Sequence, residues 1–208
     1  FLDQSVQKLI SLKKEIYAAI VWPSGVKNNI NYEEYIPNIF YKKEINISFN
    51  GLKNIISNVY SNEEWLGSVK NGYPGATYKA IPCYSIKKPL TVYFFKPNKN
   101  KSVQYIKKDI RDILRIGKHS IHINDNKDDL QIISNLLLNN NSIHFLDKVN
   151  IKKLSNKFLN QIDDFKKFTE LNKINSNKIA LDGSMILSAF CLRDARDIDY
   201  IISNEEIE

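Results

Sequence analysis

The chain has few of the residues that staple a fold or carry it into lipid. Among 208 residues there are two cysteines, one methionine, seven glycines and six prolines. Cys83 and Cys191 lie far apart in apolar stretches, so they read as two buried thiols rather than a disulfide, a usage that suits a reducing, cytoplasmic setting. No stretch reaches the roughly eighteen apolar residues of a membrane helix. The opening FLDQSVQKLISLKKE lacks the basic start, apolar middle and small-residue end of a signal peptide, so a chain without a membrane span is expected. It begins at Phe1 without Met, which leads to the expectation of a trimmed chain. Zinc-finger spacing, an RNA-binding aromatic signature and a dense basic block are all missing. The net charge of +7 is spread through a sequence rich in Asn, Ile and Lys, a bias that AT-rich coding produces by itself, so nucleic acid is not the favoured partner.

What is present is enough for one large or two small domains. Val6, Leu9, Ile10, Lys13 and Ile16 keep a helical period, and Tyr17 to Trp22 is a continuous apolar run stopped by Pro23, Ser24 and Gly25, which predicts a helix entering a buried strand and turn. Ile45, Ile47 and Phe49 alternate as a strand. Leu52, Ile55, Ile56 and Val59 return to a helical period, Gly67 to Gly75 mark a long loop, and Tyr78 to Tyr84 and Leu90 to Phe95 read as two further strands. From Ser102 the pattern partly repeats. A helix carrying Val103, Ile106, Ile110, Ile113 and Leu114 precedes Ser-Ile-His at 120–122, and a helix from Leu130 to Leu138 precedes Ser-Ile-His at 142–144. Two such units predict neighbouring parallel strands joined by a right-handed crossover. The charged amphipathic helix from Lys152 to about Leu171 reads as a connector, which gives an α/β domain over 1–150 and a second part over 151–208.

Two segments of the first part are candidates for chemistry. In GKHSIHIND, Lys118, His119, His122 and Asp125 combine a cation, titratable bases and a carboxylate at an expected strand end, where open α/β sheets bind ligands; a phosphoryl or glycosyl transfer could be served there, with His122 in a catalytic role. Each also has a structural role available: Asp125 or Asn124 as the cap of the next helix, Lys118 near the end of the preceding one, His122 as an inward-facing core residue. The spacing His-x-x-His alone is a poor metal signal. The second segment, NGYPGATYK, sets glycines beside Tyr73, Tyr78 and Lys79 and could cover a small ligand, or simply turn; without Gly-Lys-Ser/Thr it is not a P-loop.

The C-terminal stretch LDGSMILSAFCLRDARDIDYIIS is more specific. An apolar run from Ile179 to Leu181 leads into Gly183 and Ser184, about a dozen positions read as helix, and Asp197 and Asp199 open a second apolar run. Alternate residues of a strand share a face, so the two carboxylates are expected side by side, where they would bind a divalent metal. Gly183 permits a tight turn, and Ser184 is placed to cap the helix and turn its free N–H groups toward a phosphate. These residues, with Ile198 and Tyr200, resemble the signature of the polymerase-beta-like nucleotidyltransferase superfamily. That resemblance spans about Lys178 to Ser203. It implies the start of a nucleotidyltransferase-like αβ domain and Mg²⁺ (or Mn²⁺) on Asp197 and Asp199. It also implies a nucleoside triphosphate held by Gly183 and Ser184 with Arg193 or Arg196 on its phosphates, and transfer of a nucleoside monophosphate to a hydroxyl or phosphate acceptor. Small molecules, surface-glycan intermediates, proteins and tRNA ends are all compatible as acceptor, as is a catalytically silent binding module of the same fold. The family's third carboxylate lies on a later strand, and Glu205, Glu206 and Glu208 follow too closely to supply it.

Overall fold

A computed structural model describes residues 1–13, 15–98 and 101–203. It divides into two compact units, Phe1–Asp147 and Lys148–Glu208. Unit 1 is a mixed α/β fold in the order α1 (Leu2–Leu12), β1 (Tyr17–Val21), β2 (Ile39–Ile45), α2 (Phe49–Val59), α3 (Pro74–Cys83), β3 (Leu90–Phe95), α4 (Val103–Leu114), β4 (Ile121–Ile123), α5 (Lys127–Leu137) and α6 (Asn140–Lys148). Its four strands form one sheet in the order β2-β3-β1-β4, antiparallel at every pairing.

The apolar runs Tyr17 to Val21 and Leu90 to Phe95 become the two central strands because both faces of the sheet are covered. Ala18, Ile20, Leu90, Val92 and Phe94 pack with α1, α2, α3 and α5, whereas Ala19, Val21, Tyr93 and Phe95 pack with α4. A strand buried on both sides has no polar alternation to show. β4 extends this sheet through Ile20 opposite His122 and Val21 opposite Ile121. Ile121 and Ile123 face the α4 side, so period-2 alternation turns His122 to the other face, the one Ile20 occupies. At the far end, Asp3 of α1 receives hydrogen bonds from Tyr41 Oη at 2.5 Å and Lys43 Nζ at 2.7 Å, tying α1 to β2. Burial pushes the Asp3 carboxyl up, but Lys43 and Tyr41 together hold it below its ordinary value.

Several expectations are corrected. The second Ser-Ile-His segment, Ser142 to His144, is helical within α6, so the expected parallel pair is not formed, and α5 connects a strand to a helix. Asn139 accepts hydrogen bonds from the backbone of Asn141 and Ser142, which starts a helix there, and Ile143 and Leu146 fall one turn apart on the core side. Tyr78 to Tyr84 belongs to α3 and the residue after it rather than to a strand. Its alternating Tyr78, Ala80, Pro82 and Tyr84 mimic a two-residue period, but the buried set is Ala76, Lys79, Ala80 and Cys83, a helical face. The alternation at Ile45, Ile47 and Phe49 straddles the end of β2 and the start of α2, whose cap is Ser48. Cys83 is buried as expected, but Cys191 is exposed.

Unit 2 comprises α7 (Asn156–Leu171), β5 (Ile179–Asp182), α8 (Ser184–Ala189) and β6 (Asp199–Ile202), with β5 and β6 paired antiparallel. α7 begins later than Lys152, at the cap Ser155, which accepts from the Phe158 N–H. Phe158, Met185 and Ala195 form its small core.

Candidate functional site

Unit 1 holds a cavity of about 710 Å³. Lys79 and Gly75 reach it from α3, Lys107 and Arg111 from α4, His122 from β4, and Val59 and Tyr60 from the end of α2. Lys118 and His119 come from the turn before β4, and Asp125, Asn126 and Asp129 from the segment after it. All five residues singled out around GKHSIHIND and at Lys79 therefore line one space. The edge they occupy belongs to an antiparallel sheet, and not to the carboxyl ends of parallel strands.

The turn is held by backbone contacts. Trp22 N–H donates to Ser120 O at 3.0 Å, Ser24 Oγ to His119 O at 3.1 Å, and Ser120 Oγ to Gly117 O at 2.6 Å. Gly25 makes this approach possible, since a Cβ there would sit 2.5 Å from Ser120 O. Behind the turn, Lys79 Nζ donates to Lys118 O at 2.6 Å, and its ammonium lies 5.7 Å from the centre of the Tyr60 ring. The Lys79 residue is only 8% exposed. Burial, and then the charges of Lys118 and Arg111, draw its ionisation below the ordinary lysine value. Burial first, and then Lys79 and Lys118, lower that of His119 below the ordinary histidine value. Its Nδ1 lies 3.9 Å from Cys83 Sγ, a thiol that burial pushes up to about 11 and so keeps protonated.

His122 behaves differently. It is 8% exposed, packed edge-on to Tyr60 at 5.0 Å and beside Trp22 at 6.5 Å. Burial, reinforced by Lys107, lowers it to about 3, and its Nε2 has no hydrogen-bond partner. A base so weak is a poor proton acceptor at neutral pH. Of the two histidines, His119 is the less buried. Lys107 pairs with Asp125 at 2.7 Å, while the Arg111 Nε, also buried, has no partner.

Sequence reasoning did not find Tyr60, Trp65, Lys107 and Arg111. Lys107 and Arg111 stand one turn apart on α4, which was visible, but only the fold brings them to His122.

In unit 2 the strand, glycine turn, helix and strand occur in the expected order, with different detail. α8 has six residues rather than a dozen, ending before Cys191, whose φ is +58°. Ser184 is its first residue and not its cap; Gly183 takes the cap position with no side-chain bond. The loop from Arg193 returns by way of Ser188, whose Oγ donates to Arg193 O at 2.7 Å and accepts from the Ala195 N–H at 2.6 Å. Asp197 lies in a bend before β6, so it does not share that strand with Asp199. Arg193 and Arg196 are exposed. Gly183 and Asp199 are in contact: a Cβ on Gly183, whose φ is +57°, would lie 2.5 Å from Asp199 Oδ2. Glu205, Glu206 and Glu208 lie outside the described residues. Among the described residues, no group of three or more His, Cys, Asp or Glu side chains gathers to hold a metal, and no helix is long and apolar enough to cross a membrane. Compared with known proteins, the chain matches no family model, no curated protein and no solved structure.

Proposed function

We propose that the chain performs Mg²⁺-dependent nucleotidyl transfer from a nucleoside triphosphate to a hydroxyl or phosphate acceptor, with the triphosphate held in unit 2. The observation that supports this is the close approach of the Asp199 carboxylate to Gly183, which only a residue without a side chain permits. Mg²⁺ is commonly bound by one or two carboxylates together with substrate phosphates, so a donor set of Asp199 and Asp197 fits it. When bound, the ion would neutralise phosphate oxygens and align the phosphorus for attack. Arg193 and Arg196, exposed on the loop before β6, supply the cations for a triphosphate. A six-residue helix has little dipole to offer, so Asp199 and the arginines carry more of the recognition than the α8 terminus does.

The test is labelled-nucleotide transfer or binding with Mg²⁺. Asp199→Asn is expected to lower it at least about a hundredfold, the scale of losing a metal-positioning charge. Nucleotide binding that survives both this change and excess chelator would exclude the reading.

A second reading, phosphoryl or glycosyl transfer in unit 1, is favoured by His119, a half-buried imidazole that lines the cavity together with Lys79 and Lys118. Loss of turnover in His119→Ala with intact folding would select it over the first.

A further inference from the structure

The unit 1 cavity has an unbalanced interior. Four cations line it, Lys79, Lys107, Arg111 and Lys118, against three carboxylates. Among the described residues only Lys107 of these four has an ion pair, to Asp125. The buried Lys79 ammonium rests on a carbonyl and an aromatic ring, neither of which neutralises it. Burying a charge without a counter-charge is expensive, and such cations ordinarily meet an anion. Two further groups await a partner: the Nε of Arg111 and the Nε2 of His122 are both buried and both unbonded. Buried polar atoms without partners are uncommon enough to need a cause, and a ligand acceptor would provide one.

The cavity is also larger than an inorganic phosphate needs. About 710 Å³ lies within the range of pockets that hold whole small molecules. At its rim stands Trp65, 46% exposed. This indole is fixed in place: its Nε1 donates to Glu63 Oε2 at 3.1 Å, and its ring packs on Tyr60 at 5.3 Å. A Cβ on Gly75 would lie 2.2 Å from the Trp65 carbonyl, so α3 presses directly on the backbone carrying it. An exposed indole held this firmly is a platform for a flat ring or for the apolar face of a sugar. The lining also carries Asp125 and Asp129, acceptors for hydroxyl groups.

We infer that this cavity binds a phosphate monoester of a hydroxylated ring compound, a sugar phosphate or a nucleoside monophosphate. Its phosphate lies among Lys79, Arg111 and Lys118, its ring on Trp65, and its hydroxyls toward Asp125 and Asp129. The inference rests on the second reading above for its site and names the substrate class of that site; binding itself needs neither turnover nor magnesium.

Calorimetric titration of the full chain in excess chelator tests it, using inorganic phosphate, glucose 1-phosphate, uridine monophosphate, glucose and uridine as probes. At least one ester is expected to bind about tenfold or more tighter than inorganic phosphate and than its own unphosphorylated parent. The tighter ester identifies the ring. The exposed Lys118, changed to Ala, should weaken that ester about tenfold with an unaltered melting temperature, and Trp65→Ala should weaken the ester while leaving inorganic phosphate within about twofold. Ester binding without any transfer product counts for this inference and against the transfer reading. Esters that bind no better than phosphate, keep their affinity in both variants, or bind only with magnesium restored overturn it.

Discussion

Strands β4 and β6 each carry a candidate functional residue, yet one is wholly buried and the other wholly exposed. His122 on β4 sits between Ile121 and Ile123 in a sheet covered on both faces, and its neighbours come from α2, α3 and α4. Asp199 on β6 has a two-stranded sheet behind it and a glycine in front. A group held by several independent elements keeps its position but has its ionisation dictated by burial, as the value of about 3 for His122 shows. A group on an exposed strand depends on one local turn for its geometry. The first arrangement suits recognition of a whole ligand; the second suits presentation of a charge.

The largest effect that would break this contrast is expected at Gly25. A methyl at 2.5 Å from Ser120 O meets backbone rather than a movable side chain, so Gly25→Ala should destabilise unit 1 by about 3 kcal/mol and displace the turn carrying Lys118 and His119. Denaturant unfolding followed by Trp fluorescence measures it; a loss below about 1 kcal/mol would mean that the turn is free to shift.

Next comes the pH response of His122. Its folded value is below its unfolded value, so between about 6.5 and about 3 the unfolded chain binds the extra proton. Stability is therefore fully present above pH 6.5 and is lost as pH falls below it, by about 1.4 kcal/mol per unit from this group. His122→Gln should flatten the melting temperature between pH 6.5 and 5 relative to the unaltered chain. An identical acid profile in both proteins would show that the ring is solvated.

The smallest effect sharpens the other side. Gly183→Ala places a methyl against the movable Asp199 carboxylate and forces a residue with a side chain to φ +57°, a cost of about 1 to 2 kcal/mol. The change should lower amide-exchange protection of β5 and β6, which flank this turn. Unaltered protection in those two strands would show that the turn absorbs the methyl.

Much of the unit 1 fold was legible in apolar runs and periods. Tyr17 to Trp22, Leu90 to Phe95, and the helical faces at Leu52 to Val59 and Val103 to Leu114 all reported burial by one partner layer or two. The two Ser-Ile-His segments were not distinguishable by that means. Ile121 to Ile123 is a strand because β1 offers an edge for its backbone bonds, and Ser142 to His144 is a helix because Asn139 starts one and Ile143 and Leu146 pack one turn apart on the core. Of the cavity, Lys118, His119, His122, Asp125 and Lys79 could be named from local pattern. Trp65, Lys107 and Arg111 could not, since an exposed aromatic and two cations on the polar side of a helix look like ordinary surface until another element closes over them.

By itself, then, the sequence determined which segments must be buried, where Gly and Pro interrupt them, and that a glycine turn at Gly183 is followed by a helix and a strand, because these follow from side-chain size, polarity and backbone freedom over a few residues. Tertiary structure alone decided the antiparallel pairing, the turning of His122 away from water, and the convergence of α2, α3, α4 and β4 on one charged cavity. Pairing partners and desolvation depend on groups far apart along the chain, and local pattern carries no record of which distant surface will cover it.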